Sequence, residues 1–327
     1  MPKHSRPRRG SMGYWPRKRA KRIYPRASGV EKVLSKDVKP MCFAAWKAGM
    51  THVQYIDTRA QSPTSGKIIT KAATVLDSPS LFVCALRFYR KSPFSALVSF
   101  ADQWFGSIPK EIELDRKLMV SKKKHEIDKS KITDVRLVVA TQPKKSGMAK
   151  KKPDVFEMPI GGSDLSAKIS YAESVLGKEI NFKDVFKSGE FIDVSAVTKG
   201  FGYTGPVKRF GIKIQRRKDK QMNRHVGSIG STTPRKVDWR VPAAGQHGFH
   251  TRTDMNKKIL SFGDEGSKVN PAGGFVGYGV VPGNYILVEG SVPGTRKRLV
   301  ILRKAMRPKR EMPVDIKYLS TSSKQGV

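Results

Sequence analysis

The sequence predicts a mainly β protein that is interrupted by a long, irregular and strongly basic extension. Short runs rich in β-branched and aromatic residues recur on both sides of the extension, separated by Pro, Gly and Ser. These runs lie too close together for parallel crossover helices, so antiparallel pairing in a barrel or sandwich is favoured. The 327 residues include 64 Lys and Arg against 27 Asp and Glu, a formal net charge of +37, which indicates a polyanionic partner.

Before the extension the composition is that of an ordinary folded domain. Residues 101–198 hold 18 basic and 15 acidic residues. A helix is predicted from Ser163 to Leu176, because Asp164 suits a first turn and Gly177 suits a C-terminal cap. A second, highly charged helix is predicted around 110–124. The predicted strands in this part of the chain are 41–46, 50–57, 68–76, 81–89, 133–140 and 191–197.

The strand pattern returns after the extension. The predicted strands there are 258–262, 275–281, 285–292 and 299–302. Because the extension enters and leaves through strands, its two ends are expected to lie close together, which predicts a two-legged finger. The expected organisation is an extended arm (1–38), barrel strands with an α+β portion (39–198), the finger (199–258), the remaining barrel strands (259–310) and a C-terminal tail (311–327).

The extension has too few apolar residues to form a core. Residues 199–258 contain 15 Lys and Arg, three Asp, no Glu and eight Gly. Such a segment does not offset its ordering entropy by burying apolar surface. A solvated loop is one interpretation. The length favours a nucleic-acid-binding segment that becomes ordered when it binds RNA.

The N-terminal segment has the same character. Residues 1–26 carry ten basic residues and no acidic one, with Tyr14, Trp15 and Tyr24 placed among Pro and Gly. Cations neutralise phosphates while aromatic rings stack on unpaired bases, which is how irregular RNA is bound. The alternative is a disordered tail.

Several other readings are disfavoured. Gly200 to Gly205 spell G-x-G-x-x-G, but Pro206 follows at once where a dinucleotide site needs a helix, and the next acidic residue, Asp219, lies in a run of Lys and Arg. The spacing of His247 and His250 suggests a metal site, but flanking glycines disfavour a helix there. The glycines of the G-x-G-x-x-G segment are therefore expected to let the backbone approach the phosphates of a nucleic acid.

Membrane and redox functions are also disfavoured. No apolar run approaches the roughly 20 residues that span a bilayer, the N-terminal segment lacks the apolar core of a secretory signal, and the basic stretches lack an interfacial stripe. Cys42 and Cys84 lie in apolar runs and are predicted to be buried free thiols.

Four segments resemble the universal large-subunit ribosomal protein three family. They begin at Asp193 (DVSAVTKGFGYTGPVKRFG), Arg224 (RHVGSIG), Ala244 (AGQHGFHTRT) and Val292 (VPGTRKRLV). The opening SRPRRGSM and PRKRA resemble its archaeal and eukaryotic branch. Four positions differ from the family pattern. Thr232-Thr-Pro stands where Trp-His-Pro is usual, Asp238 replaces an apolar residue, and Ser231 stands where bacterial members carry a modified Gln, so that modification is not expected.

The resemblance implies a six-stranded translation-protein-type β-barrel with an α+β insertion, a long irregular RNA-binding finger and an extended basic N-terminal arm. It implies a cytoplasmic, non-enzymatic constituent of the large ribosomal subunit that binds 23S-type rRNA, contacts neighbouring ribosomal proteins, supports subunit assembly and shapes the surroundings of the peptidyl transferase centre. Trp239 would lie at the finger tip, with tRNA near it only indirectly. No cofactor, metal, membrane or small-molecule substrate is expected.

The residues expected to bind RNA are mostly Lys and Arg of the arm and finger. They are Arg6, Arg8, Arg9, Trp15, Arg17, Lys18, Arg19, Lys199, Lys208, Arg209, Arg216, Arg217, Arg224, His225, Arg235, Lys236, Trp239, Arg240, Gln246, His247, His250, Arg252, Arg296, Lys297 and Arg298.

Two other functions are disfavoured. An RNA-modifying enzyme would need catalytic acids in the basic region, where they are nearly absent, and a DNA-compacting module would need repeated basic motifs or a groove-reading helix.

Overall fold

The structure, a computed structural model, describes residues 7–27, 29, 37–109, 112, 128–233, 235–312 and 314–323. The chain divides into two compact units. The first unit consists of Met1–Arg22 and Val197–Thr251, and the second of Ile23–Ala196 and Arg252–Val327. The predicted helix around 110–124 lies outside the described residues. No helix in the described ranges is long and apolar enough to cross a bilayer.

Strands outnumber helices among the described residues and lie mostly in the second unit, which confirms the mainly β prediction. Within the described residues the strands are β1 (Cys42–Ile56), β2 (Ile68–Asp77), β3 (Leu81–Lys91), β4 (Leu97–Trp104), β5 (Asp134–Ala140), β6 (Val155–Pro159), β7 (Glu179–Ile180), β8 (Phe191–Val197), β9 (Gly200–Thr204), β10 (Gly245–Gly248), β11 (Thr251–Gly263), β12 (Tyr285–Glu289), β13 (Leu299–Lys304) and β14 (Ile316–Leu319). The two α-helices are α1 (Leu165–Val175) and α2 (Pro206–Phe210).

The largest sheet lies in the second unit and its pairing returns to its starting strand. The order is β13-β8-β11-β12-β2-β1, and β1 pairs with β13 again, so six strands form a cycle. β14 adds to β1 outside this cycle. In its second half β1 alternates between exposed and buried side chains, with Met50 exposed and Thr51 and Val53 buried, as a strand with one face on a core requires.

A second sheet in the same unit has the order β4-β3-β5-β6, with β7 paired to β3. Helix α1 lies against β5 and β3, and its Leu165 and Ile169 pack on the core. Asp164 caps the helix by accepting from the backbone N–H groups of Ser166 and Ala167. The helix therefore begins two residues after the predicted start, Ser163, and Asp164 is its N-cap rather than a residue of its first turn.

The core of the second unit has one large cluster that is rich in aromatic rings and a small second cluster that includes Cys84. Phe182 contacts Phe43 and Phe262, with ring centroids 5.5 Å apart in both pairs and edge-to-face geometry. Cys42 and Cys84 are buried and unpaired thiols, as predicted. Packing explains the glycine at position 49 of β1, because an added Cβ would stand 2.4 Å from the ring of Phe275.

Two strand predictions need correction. Residues 41–46 and 50–57 belong to one strand, Cys42–Ile56, which continues through an irregularity in register between Lys47 and Gly49. Residues 275–281 do not form a strand and make only an isolated bridge between Phe275 and Gly279. Gly277 and Gly279 have φ of 73° and 111°, values that glycine adopts and extended strands do not.

Candidate nucleic-acid interface

The first unit concentrates positive charge. Its two segments hold 21 Lys and Arg and two Asp, a net charge of +19 in 77 residues, about half of the charge of the whole chain. Most of the cations expected to bind RNA are exposed there. They are Arg8, Arg9, Lys18, Arg19, Lys199, Lys208, Arg216, Arg217, Arg224, Arg235, Lys236 and Arg240. Arg6 belongs to the same expected set but lies outside the described residues.

A two-stranded sheet forms the centre of this unit. β9 and β10 pair antiparallel, with His247 opposite Gly202 and Gln246 opposite Tyr203. Gly248 has φ of +71°, and a Cβ at this position would stand 2.0 Å from the carbonyl oxygen of Lys199. Only glycine therefore permits the two strands to approach at this point.

One premise about the glycine motif is wrong. Helix α2 begins at Pro206, directly after Gly205, where the sequence analysis expected Pro206 to prevent a helix. Proline suits the first turn of a helix, because its fixed φ is helical and its missing N–H has no helical partner at that position. The helix has only five residues and ends at Gly211. The motif itself lies in the antiparallel pair of β9 and β10, here named the hairpin, whose strands are joined by residues 205–244. The dinucleotide fold instead places the motif in a parallel βαβ unit.

Arg209 of α2 holds the hairpin together from its side. Its Nε donates to the carbonyl oxygen of Gln246 at 2.9 Å, and its Nη1 donates to that of Ala243 at 2.8 Å. Burial lowers the pKa of this guanidinium from its ordinary value. The Nε2 of Gln246 donates to the carbonyl oxygen of Gly248 at 2.9 Å. These side chains therefore support the backbone that carries the exposed cations.

The first part of the N-terminal arm, up to Arg22, belongs to the same compact unit. The N–H of Ala20 donates to the carbonyl oxygen of Phe249 at 2.8 Å. Nδ1 of His250 lies 2.9 Å from the carbonyl oxygen of Lys18, and Nη1 of Arg17 donates to the carbonyl oxygen of Arg209 at 3.3 Å. Main-chain and side-chain bonds thus join segments that are more than 190 residues apart in sequence.

Aromatic rings strengthen this association. The ring of Trp15 lies 5.8 Å from that of Phe210 and 5.5 Å from that of Trp239, the second contact being edge-to-face. The guanidinium of Arg17 stands 4.2 Å from the centroid of Phe210, a cation–π distance. Trp15 is half-buried in this cluster, whereas Trp239 is 60% exposed. The arm therefore contributes a packing residue as well as cations.

Comparison with known proteins identifies the family. The model of the family described as Ribosomal protein L3 matches residues 1–326. Large ribosomal subunit protein uL3 of Methanopyrus kandleri is 46% identical over 336 residues, covering 98% of this chain and 92% of the relative. The uL3 protein of Methanocaldococcus jannaschii is 43% identical over 333 residues, covering 98% of each chain. The chain belongs to the ribosomal protein L3 family.

The histidines of this L3-family chain have different environments. His225 is exposed, His247 is half-buried and His250 is 6% exposed. His247 and His250 are on and just after strand β10 and do not share a helix. Burial, followed by the charges of Lys208 and Arg17, lowers the pKa of His247, which favours its neutral form. No group of three or more potential metal-binding side chains occurs among the described residues.

Four of the expected RNA-binding residues of this L3-family chain belong to the second unit. Arg252 lies on β11 and is half-buried, and Arg298 is also half-buried, whereas Arg296 and Lys297 are exposed. Lys47 stabilises the turn that contains Arg296, Lys297 and Arg298. Its backbone bonds to those of Lys297 and Arg298 at 2.8 and 3.0 Å, and its Nζ donates to the carbonyl oxygens of Val292 and Gly294 at 2.5 and 3.2 Å.

Two aromatic side chains of the first unit were not among the expected ligands. Phe201 is 45% exposed and Tyr203 is 79% exposed, both on β9. The sequence signal was present, because two aromatic residues stand at alternate positions inside a glycine motif flanked by Lys199 and Lys208. The predicted role of the motif is contact between its backbone and phosphates, which includes no role for these two rings.

Proposed function

We propose that the chain is a structural constituent of the large ribosomal subunit that binds its 23S-type rRNA mainly through the first unit. The observation that carries the proposal is the net charge of +19 on 77 residues, most of it on exposed side chains, in a member of the ribosomal protein L3 family. A compact unit with this charge repels itself, and phosphates offset that repulsion.

The side chains have two roles in this proposal. Exposed cations such as Arg216, Arg217 and Arg224 neutralise phosphates and release condensed counterions. Half-buried and buried groups such as Arg209 and His250 hold the arm and hairpin in the shape that the RNA contacts, because their hydrogen bonds are made within the protein. These hydrogen bonds within the protein fix the shape of the RNA-binding surface, so the surface recognises the shape of the RNA rather than its base sequence.

The finer architecture is also part of the proposal. The cycle of six strands in the second unit supports a closed barrel of the translation-protein type, with the second sheet and α1 as the α+β portion. Residues 199–258 are proposed as the finger, whose last residues, 251–258, belong to strand β11 of the cycle. Residues 1–38 are proposed as the arm and 311–327 as the tail. Trp239, which is 60% exposed, is proposed to lie at the finger tip, with the path of tRNA near it. Neighbouring ribosomal proteins contact the second unit.

Binding of the full-length chain to a transcript of large-subunit rRNA tests the proposal. The dissociation constant is measured at several salt concentrations for the wild type, for Arg216→Ala/Arg217→Ala and for a matched control, Lys91→Ala/Lys178→Ala, whose exposed cations are in the second unit. The slope of log affinity against log salt is expected to fall by about 0.7 to 0.9 for each lost phosphate contact.

The control is expected to retain the slope of the wild type. If both double variants lose the same affinity and slope, binding follows net charge alone and the assignment of the interface to the first unit is wrong. If the wild type binds rRNA with no dependence on salt, the proposed phosphate contacts do not exist.

A further inference from the structure

The exposed rings of β9 have an environment that differs from that of Trp15 and Phe210 in the same unit. Trp15 and Phe210 pack within the protein, and Phe210 is only 6% exposed. Phe201 and Tyr203 remain 45% and 79% exposed. Exposed aromatic surface of this kind marks a binding site when ordered polar groups surround it.

Phe201 has a partner ring that is held in place. The centroid of His247 lies 4.8 Å from that of Phe201, and the two ring planes are inclined by 34°. His247 is oriented by the contact of its Nδ1 with Oγ1 of Thr204 at 3.1 Å and by the pairing of its backbone with Gly202. The two rings therefore form a supported aromatic surface on the hairpin.

Two ammonium groups lie over the ring of Phe201. Nζ of Lys208 lies 5.3 Å from the centroid of Phe201, and Nζ of Lys199 lies 5.7 Å from it. Both lysines are exposed. A nucleotide presents a planar base and an anionic phosphate, so rings with adjacent cations complement both parts of it.

The backbone between the rings leaves room for a ligand. An added Cβ at Gly202 or Gly205 would have no heavy atom within 4 Å. A base approaching Phe201 or Tyr203 therefore meets no side chain from these two positions. A glycine at each position means that no side chain protrudes from the hairpin beside the rings.

We propose that Phe201, Tyr203 and His247 form a stacking platform for unpaired bases of single-stranded RNA, whose phosphates lie toward Lys199 and Lys208. The net charge of +19 on this unit favours a polyanion over a protein as the occupant. Bases in a duplex stack on each other, so a duplex offers the rings no free base face. The inference rests on the proposed function, because it names the RNA feature that the same unit recognises.

The test uses the full-length chain and three labelled probes of about 12 nucleotides, a length within the site sizes of single-strand binders. The probes are oligouridine, an abasic ribose-phosphate oligomer and an RNA duplex, and fluorescence anisotropy gives the dissociation constants. The variants are Phe201→Leu, Tyr203→Leu and Tyr203→Trp. The matched control is Phe94→Leu, because Phe94 is 92% exposed and belongs to the second unit.

Loss of one stacked base is expected to weaken oligouridine binding by about 5- to 150-fold in each Leu variant. Binding of the abasic oligomer and the duplex should stay within about twofold of the wild type, because phosphate contacts are unchanged. Tyr203→Trp and Phe94→Leu should both retain oligouridine binding, the first because the larger ring still stacks.

Three results would overturn the platform. The first is equal affinity of the wild type for the oligouridine and abasic probes. The second is wild-type affinity for oligouridine in both Leu variants. The third is an equal loss for all three probes, which would mean that the rings maintain the hairpin rather than contact bases. None of these results bears on the salt-dependent binding of rRNA, which tests the proposed function separately.

Discussion

Asp77 predicts an unusual dependence of stability on pH. Its carboxyl group lies at the end of β2, is 1% exposed, and accepts a hydrogen bond from the Tyr278 hydroxyl at 2.6 Å and from the Gly147 N–H at 3.2 Å. Burial raises the pKa of Asp77 from 3.8 to about 6, although both hydrogen bonds oppose the increase. A buried carboxylate with no cation among these partners is costly to ionise.

The magnitude follows from proton linkage. Between pH 4 and pH 6 the folded state holds a proton on Asp77 that the unfolded chain has released. Since the folded state binds more protons, the free energy of unfolding falls as pH rises through this interval. At roughly 1.4 kcal/mol for each pKa unit, the increase from 3.8 to about 6 corresponds to a loss of about 3 kcal/mol.

Asp77→Asn removes the ionisable group and keeps an acceptor for both donors. The unfolding free energy of the variant relative to wild type is expected to increase by about 3 kcal/mol between pH 4 and pH 7. Urea unfolding of the full-length chain, followed by far-ultraviolet circular dichroism across this range, measures the difference. A difference that stays constant with pH would refute the reasoning.

Tyr278→Phe supplies a second test, in which the pKa of Asp77 is expected to rise rather than be removed. The Tyr278 hydroxyl lowers the pKa of Asp77 by donating to it, so its removal should raise that pKa further. The loss of stability with increasing pH is then expected to continue above pH 6. If the pH profile of this variant instead levels off at a lower pH than the wild-type profile, the hydroxyl does not stabilise the carboxylate.

Three further predictions concern packing and reactivity. Gly248→Ala should separate β9 from β10, because the Cβ would stand 2.0 Å from the Lys199 carbonyl oxygen; faster protease cleavage within 197–251 would show this, and an unchanged cleavage rate would contradict it. Trp15→Ala should cost about 3 to 5 kcal/mol if the half-buried ring packs as a core residue does, and increase amide exchange in the first unit. The Cys42 and Cys84 thiols, whose pKa burial raises, should react with a thiol reagent only at the rate of unfolding, so immediate labelling of the folded chain would refute their burial.

Local signals in the sequence determined much of the second unit. Helix α1 is predictable because its cap, Asp164, and the glycine that follows it act on their immediate neighbours. β8 matches its predicted range, 191–197. The error at residues 275–281 has a local cause too, since aromatic and branched residues suggested a strand while the glycines adopted positive φ. The error at Pro206 arose because proline both ends and begins helices.

The composition of the interface follows from the sequence alone, because charge and polarity are sums over residues and need no geometry. Which of those residues face outward depends on how the chain folds. Trp15, Arg17 and His250 are expected ligands that the fold uses to join the arm to the extension, whereas Phe201 and Tyr203 remain exposed. Contacts between segments more than 190 residues apart depend on how the chain folds back, and no local pattern of side chains encodes that pairing.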